Sequence, residues 1–322
     1  MEKELQEILN DVLFSASQQR IAEIGDDMRF VHYTSAESAM KIIQGDEGKR
    51  FFWLRNATEM NDFSEVEFGQ YCLRETLGDP DLVERFKAAF NAIDEHIIPD
   101  FAQMIDSEFG LLKANTYLLS LSMHHGHELE SGRLSMWRAY GGRASVCMVL
   151  NKEAFGDQDA YDIAISPVMY DGPLGFKKEF ISMIEKVEIN CENLKKIEFG
   201  LVRDNLKRAV DFAVLSAKHP SFREEEEWRL IYRPTINPEL LPKIVSIDGI
   251  VQTIFLLPLE NIEIPQGNSV TGASLPELLD RLIIGPTPNP QLVSLAFIKL
   301  LSDSGVTNSN TKVIQSMIPL RR

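Results

Sequence analysis

Cysteine is scarce in this chain. There are three in 322 residues, Cys72, Cys147 and Cys191, with neither a close pair nor the ligand spacing of a zinc motif. That excludes a disulfide framework, and a reducing, cytoplasmic setting is expected. Long apolar runs are missing too. No stretch approaches the roughly 18 residues of a spanning helix, and the acidic, amphipathic start at Met1–Asp11 is unlike a signal peptide. No membrane partner is expected. Positive charge is in deficit, with 33 Lys and Arg against 48 Asp and Glu and a net charge of −15. Such a balance disfavours bulk binding to nucleic acid, while a local basic groove stays open. Repeats, low-complexity tracts and long linkers are absent as well. What remains is an ordinary globular composition, 44% hydrophobic and 25% charged. It reads as an N-terminal helical segment over 1–27, suited to capping or to a homo-oligomer contact, followed by a single domain over 28–322.

The most unusual stretch is Ser221–Arg233, S-F-R-E-E-E-E-W-R-L-I-Y-R, in which four consecutive glutamates enter an alternating segment. The alternation predicts a strand with Trp228, Leu230 and Tyr232 on one side and Glu227, Arg229 and Ile231 on the other. Four adjacent carboxylates repel one another. Either the run is a solvated acidic turn, or packing or a cationic ligand holds at least one member in place. On the second reading Glu225 and Glu227 point to the same side, toward a cleft.

The rest of the chain alternates between two periods. Leu5, Ile8, Leu9, Val12 and Leu13 have helical spacing. Phe30–Thr34 (F-V-H-Y-T) reads as a short strand, and Thr34 with Glu37 fits a capping box that opens a helix stopped at Gly45. His32 therefore sits beside a helix N-terminus, a junction that suits an anion or a nucleotide, or else a structural histidine. Phe51–Leu54 is a strand and Asn61-Asp62 a turn. Leu82, Phe86, Phe90, Ile93 and Ile97 mark a helix broken at Pro99. Tyr117–Met123 is a strand that carries Ser120 and Ser122 on one face. His124, His125 and His127 follow, with no further histidine nearby, so no metal is expected. Ser145–Leu150 and Asp162–Tyr170 are strands, Lys177–Lys218 is mostly helical, and Ile244–Leu257 holds two strands around Asp248-Gly249. Leu282–Gly285, a helix over Pro290–Ser304 and a last strand at Lys312–Met317 complete the chain. The fold class is α+β: a mixed, mostly antiparallel sheet core flanked by helices.

The three tryptophans fall within short motifs whose order resembles a bacterial family known as domain of unknown function 2971. The pieces are H-Y-T at His32–Thr34, F-W-L-R…M-N-D-F-S-E at Phe52–Glu65, L-S-L-S at Leu119–Ser122 and M-W-R-A-Y at Met136–Tyr140. V-M-Y at Val168–Tyr170, E-x-E-W-R-L at Glu225–Leu230, I-I-G-P and the final I-P-L-R continue the series, over about residues 28–322. A more distant resemblance, to ADP-ribosyltransferases, rests on H-Y-T, a serine-bearing strand and E-x-E. It implies an ADP-ribosyltransferase-like fold and NAD as substrate, with no metal. It implies that His32 and Thr34 hold the nucleotide and that Tyr33, beside His32, supplies backbone contacts. Ser120 or Ser122 would be the middle element, Glu227 the catalytic carboxylate and Glu225 the residue that orients an acceptor. The middle motif is L-S-L-S where that superfamily has S-T-S or a tyrosine.

Breaking a nicotinamide–ribose bond builds positive charge on the ribose, which a fixed carboxylate stabilises. A pyrophosphate needs donors, for which Arg55, Arg133, Arg138 and Arg143 are candidates, and Trp137 and Tyr140 are placed to stack a base. The resemblance therefore implies an NAD-consuming enzyme that transfers ADP-ribose to a macromolecule or hydrolyses NAD, in the setting of a toxin or phage-defence effector. Two other readings stand beside it. One is a non-catalytic nucleotide- or protein-binding module. The other is a Mg-dependent nuclease using Asp62, Glu65 and Glu224–Glu227.

Overall fold

The computed structural model describes residues 2–22, 25, 27–59, 65–140, 144–155, 163–234, 239–247, 249–262 and 269–320. The expected turn at Asn61-Asp62, the Gly141-Gly142 pair, Arg143, Asp162, Asp248 and the Glu65 side chain lie outside the described residues. The elements begin with α1 (Glu2–Leu13), α2 (Ser15–Ala22), β1 (Arg29–Ser35), α3 (Ala36–Gln44), β2 (Phe51–Asn56), α4 (Glu65–Leu77), α5 (Pro80–Asn91) and α6 (Ile97–Glu108). The middle holds β3 (Tyr117–His124), α7 (Glu128–Ser131), α8 (Leu134–Tyr140), β4 (Ser145–Leu150), β5 (Ile163–Pro167), α9 (Gly172–Leu194) and α10 (Phe199–Leu215). The last third holds β6 (Glu227–Tyr232), β7 (Leu241–Ile247), β8 (Ile250–Pro258), α11 (Leu275–Leu278), β9 (Leu279–Ile284), α12 (Pro290–Asp303), α13 (Ser309–Lys312) and β10 (Val313–Gln315).

The chain divides into two compact units, one of residues 1–24, 57–116 and 166–223 and one of residues 25–56, 117–165 and 224–322. The first is helical. Its centre is α9, which buries Phe176, Phe180, Met183, Ile184 and Val187 along one stripe at helical spacing. Helices α1, α4 and α5 pack on α9, and α4 and α6 on α10. Leu9, Val12 and Leu13 of α1 are buried within this unit, so the N-terminal helix buries its apolar stripe against its own chain. Pro99 does not break a helix. It stands in the first turn of α6, where a missing N–H costs nothing because that turn's donors have no intrahelical partner.

The second unit is an open sheet in the order β10-β9-β4-β1-β3-β2-β8-β7, with β6 on the other edge of β3 and β5 on β6. The described registers are antiparallel except for β9 with β10. The mostly antiparallel α+β class expected above is thus the one observed. Strand β4, S-V-C-M-V-L, lies between β1 and β9 and is buried at every position, as a run rich in apolar residues allows. Helix α3 starts one residue later than the capping box places it: the N-cap is Ser35, whose hydroxyl accepts from the Ser38 amide. Gly45 ends that helix with φ +72° and an amide bonded to the Lys41 carbonyl. Among the described residues no helix is long and apolar enough to cross a membrane.

One edge of β3 serves two strands. Strand β1 pairs with it at Ser122–His124 and β2 at Leu118 and Tyr117, so Leu119–Leu121 lie where the two neighbours part. The opposite edge pairs with β6 from Tyr117, opposite Tyr232, to Ser122, opposite Glu227. This fork positions the candidate site.

Candidate functional site

The glutamate run is neither wholly loop nor wholly strand. Pro220–Glu225 forms a short 3-10 helix, Glu226 takes a left-handed φ of 41°, and β6 begins at Glu227. The kink at Glu226 interrupts the alternation, so Glu225 and Glu227 do not share a side as members of one strand. Glu225 stays half-buried, whereas Glu227 is 4% exposed.

Within β6 the alternation holds. Ser120 lies opposite Arg229 and Ser122 opposite Glu227, and directly opposed residues of an antiparallel pair share a face. The Ser120 hydroxyl donates to Glu227 Oε1 at 2.7 Å. Arg229 donates to the same carboxylate through Nε at 2.9 Å and Nη2 at 3.2 Å, and is itself 1% exposed. The structure therefore brings together Glu227 and Ser120, two of the residues the sequence singled out, and adds Arg229 as the fixed counter-charge. Arg223, at the start of the glutamate run, pairs with Asp171 at 2.5 Å.

His32 does not join this cluster. Val31 lies opposite Ser122, which places Val31 and Tyr33 on the face of Ser120 and Glu227 and places His32 on the other. Ring contacts agree: Tyr33 meets Trp137 edge-on at 4.9 Å, while His32 meets Phe52 at 5.5 Å. What His32 does reach is the main chain of Ser120, at the fork. Its Nδ1 lies 3.4 Å from the Ser120 carbonyl, an acceptor only, so the ring donates from Nδ1 and carries its lone pair on Nε2. Burial lowers its pKa to about 4, against a smaller rise from that hydrogen bond. Ser120 is thus held from both sides, hydroxyl to Glu227 and carbonyl to His32.

Several expected ligand contacts are structural instead. Trp137 is fully buried, with its indole N–H donated to the Ser131 carbonyl at 2.9 Å, so it stacks no base. It packs with Val31, Tyr33, Met136, Cys147, Val149 and Ile283, and Tyr140 covers the edge of that cluster. Glycines flank the indole: a Cβ at Gly132 would meet it at 2.6 Å and one at Gly285 at 2.7 Å. Ile318 and Leu320 also rest on this cluster. H-Y-T, M-W-R-A-Y, I-I-G-P and I-P-L-R thus meet in one core, which is a packing reason for their joint presence. Thr34 is half-buried opposite Val146. Arg55 donates to Gln252 at 3.4 Å, and Arg138 is exposed.

Arg133 is the hub that sequence reasoning assigned wrongly. Its guanidinium grips Glu128 through Nε and Nη2, both at 2.7 Å, reaches Glu226 at 2.8 Å and the Met123 carbonyl at 3.1 Å, and also donates to the Glu224 carbonyl. Its amide donates to the Tyr33 hydroxyl at 2.6 Å, and that hydroxyl lies 3.3 Å from His124 Nε2. A guanidinium so engaged ties the end of β3 to the glutamate run and is not free for a pyrophosphate. His125, Glu128 and Glu226 offer ligand atoms within 4.8 Å of one another, and Arg133 supplies positive charge to both carboxylates.

A family model described as "Protein of unknown function (DUF2971)" matches residues 136–230, from the tryptophan core to the middle of β6. No curated protein and no solved structure matches the chain.

Proposed function

We propose that this protein consumes NAD, with Glu227 as the carboxylate that faces the nicotinamide ribose and Ser120 as its partner from the middle strand. The observation that carries the reading is the 2.7 Å bond from Ser120 to Glu227 across β3 and β6, beside the fork in the sheet. It joins the middle and the late element of the three-part pattern. In the reaction the C1′–N bond of the nicotinamide ribose breaks and its electron pair leaves with nicotinamide. Glu227 offsets the positive charge that develops on the ribose. A nucleophile, either a side chain or base of a macromolecule or water, bonds to C1′ and gives up its proton. The products are nicotinamide, a proton and ADP-ribosyl acceptor, or free ADP-ribose when water attacks. His32 acts here as a positioning residue, through the Ser120 carbonyl. The setting that suits such chemistry is a toxin or phage-defence effector acting on a macromolecular acceptor in the cytoplasm.

One observation favours a second reading. Glu227 is neutralised by Arg229 and both are buried, as in a compensated internal ion pair of a binding module without catalysis. Nicotinamide release from NAD by the full chain, alone and with cell extract, separates the two, read beside the melting temperature with and without NAD. Release together with an NAD-induced rise in melting temperature supports the enzyme, and dependence on extract identifies a macromolecular acceptor. No release and no rise would leave the binding module.

A further inference from the structure

The main run of the sheet ends at β10, which has 3 residues, and at β7, which has 7. Strand β7 pairs with β8 alone, and most of it is exposed. Leu241 and Ile244 are 67% and 74% exposed, and Ile250 and Val251 of β8 are 52% and 73% exposed. Apolar side chains gathered on one hairpin in this way mark an interaction surface. Negative charge is absent from both strands, in a chain of net charge −15. Their one charged residue is Lys243, which pairs with Asp46 at 2.7 Å.

The register of the hairpin fixes which main-chain groups of β7 point away from β8. Ile247 and Ile250 flank the turn and exchange both main-chain bonds, and the exchange recurs at Val245 with Gln252, Lys243 with Ile254 and Leu241 with Leu256. Pro242, Ile244 and Ser246 therefore turn their main-chain groups outward. Ile244 and Ser246 offer N–H and C=O there, and Pro242 offers C=O only. Set antiparallel to a copy of itself about Ile244, this edge is self-complementary. The two Ile244 residues exchange both bonds, and each Ser246 N–H meets the opposing Pro242 carbonyl. Every outward N–H of the strand finds an acceptor, and the missing proline N–H leaves only the Ser246 carbonyl to solvent. This register opposes the whole of β7, Leu241 to Ile247, and brings the two exposed Ile244 side chains together as a cross-strand pair.

We propose that β7 is the interface of a homodimer, in which a second copy of this chain continues the sheet across a two-fold axis at Ile244. The occupant is a copy because the donors, acceptors and apolar side chains of this edge match themselves, as an isologous contact requires. It is also an edge free of the negative charge that drives two acidic chains apart. Proline and lysine ordinarily blunt an edge strand, yet neither blocks this pairing. Pro242 is used through its carbonyl, and Lys243 faces the opposing Val245 and not its own copy. One strand edge with these apolar side chains buries about 1,000 Å² over the two copies, near the lower bound of a specific interface, so the dimer is a reversible one. The inference is independent of the NAD reading.

The test follows the full chain by sedimentation velocity over a micromolar concentration series, without NAD. Single chains are expected to give way to pairs as concentration rises. Ile244→Asp sets two carboxylates opposite each other, and Ser246→Pro removes an outward N–H, so each should weaken the dimer by about tenfold or more. Both positions point their main chain away from β8, so the dilute single chain should keep its circular dichroism and its cooperative melting. A second measurement reads the register. On a Cys191→Ser background, Ile244→Cys should cross-link the pair under mild oxidation. Ser246→Cys should not, because Ser246 is opposed by Pro242 and not by its own copy. Single chains at every concentration up to the millimolar range would leave the edge to a foreign strand or to solvent, and overturn the proposal. So would a dimer that Ile244→Asp and Ser246→Pro leave intact. Equal cross-linking of the two introduced thiols would overturn the register about Ile244.

Discussion

The buried pair of Glu227 and Arg229 is open to a quantitative test. Both groups are almost inaccessible, 4% and 1% exposed, and two hydrogen bonds join them. Removing one partner strands a charge in a site of low polarity, which costs about 3–5 kcal/mol, whereas replacing both by apolar groups of similar volume is close to neutral. Glu227→Leu also deprives the Ser120 hydroxyl of its acceptor, worth about 1 kcal/mol more. Arg229→Met should therefore lower stability by about 3–5 kcal/mol and Glu227→Leu by about 4–6 kcal/mol, and the double variant should recover at least about 2 kcal/mol relative to their sum. Urea unfolding followed by tryptophan fluorescence reads all four proteins, because Trp228 lies between the two positions. Single variants within about 1 kcal/mol of the native chain, or a double variant equal to the sum, would refute the account of a coupled internal pair.

Three further outcomes follow from the geometry. Gly285→Ala places a methyl group 2.6 Å from Ser145 Oγ and 2.7 Å from the Trp137 ring, and should destabilise by about 1–3 kcal/mol in thermal or urea melts. His32 and His124 both have pKa values lowered from 6.5 to about 4, chiefly by burial. The unfolded chain therefore binds protons first. Stability from these neutral rings is whole above pH 6.5 and is lost as pH falls from 6.5 toward about 4. For the fully buried His124 the loss is on the order of 3 kcal/mol, and His124→Gln should flatten the slope of stability against pH in that window. Burial pushes the Cys72 thiol up to about 11 and Cys147 higher still, while Cys191 is only half-buried. An aromatic disulfide reagent should modify one thiol in the native protein, at Cys191, and all three after unfolding.

Much of the local structure was legible because it depends on period and caps. Trp228, Leu230 and Tyr232 separate from Glu227, Arg229 and Ile231 by simple alternation, and β4 coincides with the apolar run at Ser145–Leu150. Gly45 ends its helix as a glycine should. The errors arose where a residue's meaning depends on a distant segment. His32 looked like a companion of Glu227, but which face it takes is fixed by the pairing of Val31 with Ser122, across 91 residues of chain. Trp137 looked equally suited to stacking a ligand, and only the approach of Gly132 and Gly285 makes it core. Arg133 looked free because its carboxylate partners come from both sides of it, one five residues away and one from the glutamate run. The left-handed kink at Glu226 has no sequence signal, since glutamate rarely adopts that conformation.

The most direct test of the central claim compares nicotinamide release by the native chain and by Glu227→Gln at matched folded fraction. The variant keeps the side-chain volume and an acceptor for Ser120 but removes the negative charge that would face the ribose. The account predicts release by the native chain and a fall of about 100-fold or more in the variant, the scale expected when a fixed electrostatic contact to the transition state is lost. Equal rates in the two proteins would contradict it, and Glu227 would then be a structural partner of Arg229 alone.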